Sequence, residues 1–301
     1  MRYFNVFLFA FFFHFLEADA QQHFQNFNLD STAHFRGVHA VSDSECWFSG
    51  SGGRVFRVEE AGERLIDCSP KGYERLDFRD IHAFDAKKAI ILSAGLPAVI
   101  LLTNDGGQSW TEVYRNEKEG VFFDAMDFWD TQRGIAFSDA VDKRLLIIET
   151  VDGGRSWRPL DPDQLPEVHL KQGGFAASGS CLKVFGNGKV VIGLGGAEAT
   201  LLRSDDYGSN WTKTRVPIDQ GEPSKGIFSL DFIDADRLLA VGGDYRADSL
   251  TTQTIALSDD GGRSWRSAED AGLHLSHKYR SCILALNPED WLAISRTGAS
   301  F

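Results

Sequence analysis

Three arginines stand in similar surroundings along the chain, in Phe35-Arg36, Phe78-Arg79 and Tyr279-Arg280. A guanidinium fork grips a carboxylate through two parallel hydrogen bonds, so such a set reads as an anion site if the fold brings it together. Tyr279 adjoins one of them, and a phenol activated by a nearby acid is a candidate nucleophile. Each arginine opens an apolar run, and the intervening runs open near Asp124, Ser178 and Lys225. Convergence of all six starts would set four cations against one carboxylate on a chain whose net charge is −12. A positive mouth on an acidic body suits an acidic partner surface or an anionic ligand.

A second recurrent set is centred on carboxylates. Thr103-Asn-Asp105-Gly-Gly107-Gln-Ser109-Trp110 is followed by Thr150 to Trp157, Ser204 to Trp211 and Ser258 to Trp265, all fitting [ST]-x-D-x-G-x-[STN]-W. In each, the aspartate (Asp105, Asp152, Asp206, Asp260) and the hydroxyl can bond the N–H groups of a tight turn. The glycine supplies a φ > 0 position, and the tryptophan (Trp110, Trp157, Trp211, Trp265) packs back into the core. The carboxylates recur once per repeat and read as structural turn acceptors, not paired catalytic acids. Every copy follows an apolar run, such as Val99–Leu102 or Leu145–Ile148, and so marks a hairpin between antiparallel strands.

The box tryptophans lie 47, 54 and 54 residues apart. Each period holds an inner strand, a second strand ending in Ser or Gly, a third strand, the box, and a fourth strand. A four-stranded unit at this period is a propeller blade. The predicted fold is therefore all-β, a β-propeller with blades at about 35–68, 78–114, 121–160, 174–214 and 226–268, and a partial one at 278–301. Phe35-Arg-Gly-Val-His39 echoes Phe78-Arg-Asp-Ile-His82, and Val58 to Leu65 is a decayed box, which places the first blade. A strand at 22–30 is available to close the ring. About six blades are present, and seven are expected if the sequence is truncated after Phe301.

These boxes are the signature of the BNR, or sialidase-type, β-propellers. The wording around them narrows the match: Phe35-Arg36, Trp47-Phe-Ser-Gly50, Gly174-Phe-Ala-Ala-Ser178-Gly, Gly242-Gly-Asp-Tyr245 and Tyr279-Arg-Ser281 resemble the secreted propellers grouped with the photosystem II assembly and stability factors. The resemblance implies an interaction or assembly protein more than an enzyme; the charges at the inner-strand starts make the mouth the expected binding face, and no cofactor and no metal are expected. Relatives of this kind also carry the labels oxidoreductase and glycosyl hydrolase. A Rossmann site needs G-x-G-x-x-G between strand and helix; here Gly50-Ser-Gly52 meets Val55 and Gly193-Leu-Gly195 meets Glu198 at the third position. A sialidase would set three arginines on a carboxylate beside a tyrosine nucleophile and a proton donor. Its F/Y-R-I-P signature is missing, since Arg36, Arg79 and Arg280 are followed by Gly-Val, Asp-Ile and Ser-Cys. A sialidase-like glycosidase and a non-catalytic carbohydrate-binding propeller remain the alternatives.

The 43 acidic against 31 basic residues disfavour a nucleic-acid partner. Arg2, the apolar stretch Phe4–Phe13 with Phe15 and Leu16, and Ala18-Asp-Ala20 form a signal peptide cleaved after Ala20, too short to span a membrane. A secreted or periplasmic location is expected, and no cysteine follows the cleavage site to carry a lipid. Cys46, Cys68, Cys181 and Cys282 allow three disulfide pairings, none selected by the sequence, and lack zinc spacing. His39 and His82 sit within the repeated inner-strand motif and read as core or strand-end groups.

Overall fold

The computed structural model describes residues 33–59, 64–170, 172–247, 252–272, 278–296 and 298–300. The expected signal peptide and the expected closing strand at 22–30 lie outside the described residues. Among the described residues, six antiparallel sheets follow one another along the chain. The first three are β1 (Phe35–Ser42) to β4 (Arg64–Asp67) through β2 (Glu45–Gly50) and β3 (Val55–Glu59); β5 (Asp77–Ala83), β6 (Ala89–Ala94), β7 (Ala98–Thr103) and β8 (Thr111–Asn116); and β9 (Phe123–Phe128), β10 (Gly134–Val141), β11 (Arg144–Thr150) and β12 (Arg158–Pro159). In each of these three the spatial order is the order of the chain.

The fourth comprises β13 (Gln172–Gly173), β14 (Leu182–Phe185), β15 (Lys189–Gly196), β16 (Thr200–Ser204) and β17 (Thr212–Arg215). The fifth comprises β18 (Glu222–Phe232), β19 (Leu238–Asp244), β20 (Ile255–Ser258) and β21 (Arg266–Ser267). These two join where β15 meets β18, at Gly195 opposite Gly226 and Gly196 opposite Glu222. The last sheet has β22 (Cys282–Ala285), β23 (Trp291–Ser295) and β24 (Gly298–Ser300).

Face-to-face stacking explains the composition of the middle strands. Every residue of β6 and β7 is buried, because a sheet inside the stack hides both faces. Alternation then divides the side chains between neighbours: Ile90, Leu92 and Ile100 meet Phe123, Phe128 and Ile148 of the third sheet, while Ile91, Val99 and Leu101 meet Trp47 and Val55 of the first. Five such cores, one between each consecutive pair of sheets, make the chain a β-propeller. Each fully buried Leu or Ile contributes about 1.5–3 kcal/mol.

The four boxes close alike. Thr103 Oγ1 donates to Asp105 Oδ1 at 2.8 Å and accepts from the Gly107 amide at 3.0 Å, and Asp105 accepts from Ser109 N and Oγ. The same set recurs around Asp152, Asp206 and Asp260, with Asn210 replacing the serine in the third. Gly107, Gly154, Gly208 and Gly262 all take φ of 83 to 87°, which a side chain would strain. Trp110 Nε1 donates to the Cys68 carbonyl of the preceding sheet at 2.8 Å.

Carboxylates on the inner strands stitch neighbouring sheets together. Asp80 accepts the Met126 amide at 2.7 Å, Asp127 the Val184 amide at 3.0 Å and Asp231 the Ala285 amide at 2.8 Å; the other oxygen of each holds the amide of the next residue. All four cysteines are free thiols, two of them buried.

Candidate functional site

The ladders between innermost strands and their neighbours are interrupted at one recurrent place. The register slips between Phe35 and Gly37, between Phe78 and Asp80, where Phe123 and Ala125 pair with adjacent residues of β10, and between Ile227 and Ser229. One residue is extruded at each slip: Arg36, Arg79, Asp124 and Phe228. A β-bulge re-aims a side chain that regular pleating would send to a sheet face. All four line one cavity of about 850 Å³.

The walls of that cavity differ in chemistry. Arg36, Arg79, Arg296 and His34 bring positive or titratable groups. Arg79 Nε holds Asp77 at 2.7 Å while its guanidinium lies 5.4 Å from the Phe122 ring centre. Opposite stands a cluster of rings: Phe175 stacks on Phe228 at 3.7 Å, and Tyr279 and Tyr245 meet Phe228 edge-on at 4.9 and 6.2 Å. Asp124 is 1% exposed, and neither of its oxygens completes a hydrogen bond of normal geometry. Burial, reinforced by neighbouring Asp139, raises its carboxyl well above the usual range. Asp139 itself is pushed up to about 6 by burial, against the pull of the Gly174 amide bonded to Oδ1 at 3.0 Å. Gly174 is obligatory here, since a Cβ would fall 2.6 Å from Asp124 Cγ.

Of the residues expected at the mouth, Arg36, Arg79, Asp124 and Tyr279 line this cavity; Ser178, Lys225 and Arg280 do not. Ser178 belongs to a serine chain, 2.6 Å from Ser180, which in turn reaches Ser229 at 2.7 Å. Lys225 sits in the regular ladder opposite Asp244, three residues before the bulge. Arg280 is buried, with Nη1 on the Tyr279 carbonyl at 3.1 Å. The register explains the displacement. Counting back from the stitched amides, Ser180, Phe228 and Ser281 occupy the places equivalent to Arg79. Sequence reading passed over Phe228, Phe122, Phe175, Tyr245, His34 and Arg296. The alignment of Leu230-Asp231 with Ile81-His82 is the signal that could have found Phe228.

A second, small cavity of about 90 Å³ lies on the inner strands, lined by His39, His82, Asp80, Asp127, Ser178 and Lys183 among others. Although burial opposes its charge, Lys183 is held protonated by Asp127, Asp231 and Asp80. Burial, with Lys183 beside it, lowers His39 to about 4; burial and His39 likewise lower His82, so both imidazoles are neutral and pack at 4.3 Å. Among the described residues no group of three or more His, Cys, Asp or Glu is placed to hold a metal ion, and no helix is long and apolar enough to cross a membrane.

No family model matches the chain. In sequence it is similar to the photosystem II assembly lipoprotein Ycf48 of Synechococcus sp. (strain CC9902), 22% identical over 275 residues that cover 80% of this chain and 77% of that one. Among solved structures it is similar to YCF48 bound to D1 peptide, at 16% identity, covering 91% of this chain and 92% of that one with a TM-score of 0.44. It is also similar to U3-55K, at 13% identity, covering 87% and 75% with a TM-score of 0.57, a likeness of fold.

Proposed function

We propose that the chain is a binding and assembly module that captures a segment of a partner protein, through an anionic group, in the cavity where the bulged residues meet. The observation that carries this reading is the recurrence of the bulge. The backbone irregularity repeats in four sheets, yet the residue it extrudes changes from arginine to aspartate to phenylalanine. A repeated backbone device with unrepeated side chains is what a binding site needs and a structural turn does not. The similarity to a protein named for photosystem II assembly supports the same reading. Arg36 and Arg79 supply forks for a carboxylate, and the rings supply apolar contact of the kind that anchors protein interfaces.

Capture is favoured over glycoside hydrolysis by the placement of the third arginine. Arg280, which a sialidase-like reading would need on the substrate carboxylate, is not among the lining residues, and among the described residues no glutamate lines the cavity to activate Tyr279. A bare carbohydrate-binding role has no separate observation in its favour. Export through the apolar N-terminal stretch belongs to the same proposal, and N-terminal sequencing of mature protein should begin at Gln21.

The test is charge reversal at Arg36 and Arg79 together, both partly exposed. Reversal at Arg79 breaks its pair with Asp77, so a cost of about 1–3 kcal/mol is expected, and folding of the variant is checked by thermal melting. Capture of partner protein from an envelope extract should fall more than about tenfold, since loss of a charge-assisted pair costs at least 1.4 kcal/mol. Undiminished capture would remove the cavity from the reading, and cleavage of sialosides or aryl glycosides by the wild type would replace capture with hydrolysis.

A further inference from the structure

We propose that Asp124 makes the cavity selective for a basic side chain presented beside a carboxylate: the carboxylate rests on the Arg36 and Arg79 rim, and the ammonium or guanidinium enters between the rings onto Asp124. This rests on the capture reading above and names the chemistry of the captured segment.

The argument begins with how the fold treats its other buried acids. Asp80, Asp127 and Asp231 each have both oxygens bonded to backbone amides, so inner-strand carboxylates that serve structure are satisfied within the protein. Asp124 breaks the pattern. It is more deeply buried than Asp127 or Asp231, it is extruded by a bulge, and neither oxygen completes a hydrogen bond of normal geometry, the Ala176 amide and the Asp139 carboxyl lying beside it. Leaving a buried acceptor unmade is costly, and a donor arriving from a ligand would remove that cost.

Charges already present do not fill the role. Arg79 gives its Nε to Asp77, and Asp139, which spends one oxygen on the Gly174 amide, is an acid that adds repulsion to Asp124 and cannot neutralise it. Gly174 packs its backbone against Asp124 at the cavity wall, where a side chain would collide with the carboxyl group. The surrounding rings are Phe122, Phe175, Phe228, Tyr245 and Tyr279. Ring faces attract an alkylammonium or guanidinium, and the attraction strengthens as water is excluded. A cationic rim over an acidic floor that a cation can ionise is complementary to a zwitterionic segment, whereas a simple anion would leave Asp124 unanswered.

The pair of acids adds a signature. Asp124 faces Asp139 on β10, Arg79 on β5 and the Cys181 thiol, with Arg36, Arg296 and His34 across the cavity. Burial keeps its proton on in the empty site. An entering cation must displace that proton, so capture of a basic segment tightens as pH rises. A plain carboxylate segment gains nothing from that rise and is repelled if the floor ionises.

The experiment is fluorescence anisotropy of full-length protein with labelled Gly-Ser-Gly-Ser-Gly peptides extended by lysine or norleucine, each as free acid and as amide. Wild type is expected to bind the lysine acid about tenfold or more tighter than the norleucine acid, the scale of a charge-assisted hydrogen bond. Asp124→Asn should abolish that preference and keep the preference for acid over amide. Equal binding of the two acids, or a lysine preference that survives Asp124→Asn, overturns the proposal while leaving capture at the arginines intact. Loss of any acid-over-amide preference in the wild type overturns the capture reading, and this proposal with it. An Asp124→Leu variant checked by thermal melting separates misfolding from loss of recognition.

Discussion

The outer turns and the inner bulges are both repeated features, and they are repeated in opposite ways. In the turns the residues recur with the backbone: the same hydroxyl, aspartate and glycine close the same bonds four times, and every acceptor is used. At the bulges only the backbone recurs. Arg36, Arg79, Asp124 and Phe228 occupy one geometric place, and neither oxygen of Asp124 completes a hydrogen bond of normal geometry. Constancy of side chain marks what every blade needs to fold; variation at a constant backbone place marks what the assembled ring offers to something else.

The largest effect should come from the turn region. Trp157 is 9% exposed and meets Phe128 edge-on at 5.8 Å in the core between the second and third sheets. Trp157→Ala should lower the urea unfolding free energy by about 3–5 kcal/mol; a loss under about 1 kcal/mol would make the turns ornamental and break the contrast. Next, Asp152→Ala removes the acceptor for Thr150 Oγ1, Ser156 N and Ser156 Oγ. It should cost about 1–3 kcal/mol by the same assay, with the cavity's ligand affinity unchanged.

The smallest effect concerns sign. Side-chain and backbone hydrogen bonds from Ser109 hold Asp105 down to about 2, and in Asp260, where burial pulls the other way, those from Ser264 prevail to give about 2. These groups contribute stability that is present above the ordinary aspartate value of about 3.9 and is lost as pH falls toward 2. Asp139 works in reverse. Burial raises it to about 6, so the native state binds its proton more tightly than the unfolded chain, and stability declines as pH rises from about 4 to 6. Unfolding followed from pH 2 to 7 should show both limbs; Asp80, raised to about 7, and Asp124 share the upper one, so Asp139→Asn should reduce it and leave the lower one as it is. An unchanged upper limb would assign it to the other buried carboxyls.

The fold was legible because its determinants are local. A hydroxyl, an aspartate and a glycine within five residues specify a turn wherever they occur, and the spacing of four such turns specifies blades. The cavity was half legible. Arg36 and Arg79 announce themselves by repeating Phe-Arg at the head of a strand, and Asp124 follows by position. Phe228 does not, because a bulge is a property of pairing between strands: which residue of β18 is extruded depends on its register with β19, which lies beyond any local pattern. Lys225 was the conspicuous charge nearby, and the ladder holds it opposite Asp244 instead. Phe175 and Tyr245 reach the cavity from a loop and from just past a strand end, where sequence carries no period to read.

The central claim, that the turns hold the ring and the bulges hold the partner, is tested most directly by site-specific photo-crosslinking. A benzophenone amino acid is placed at Phe122, on the cavity wall, and in a separate variant at Gln108, exposed in a turn. Both proteins are irradiated in the cell and the adducts compared. Covalent adducts to a partner protein should form from position 122 and not from 108; adducts from 108 with none from 122 would contradict the account.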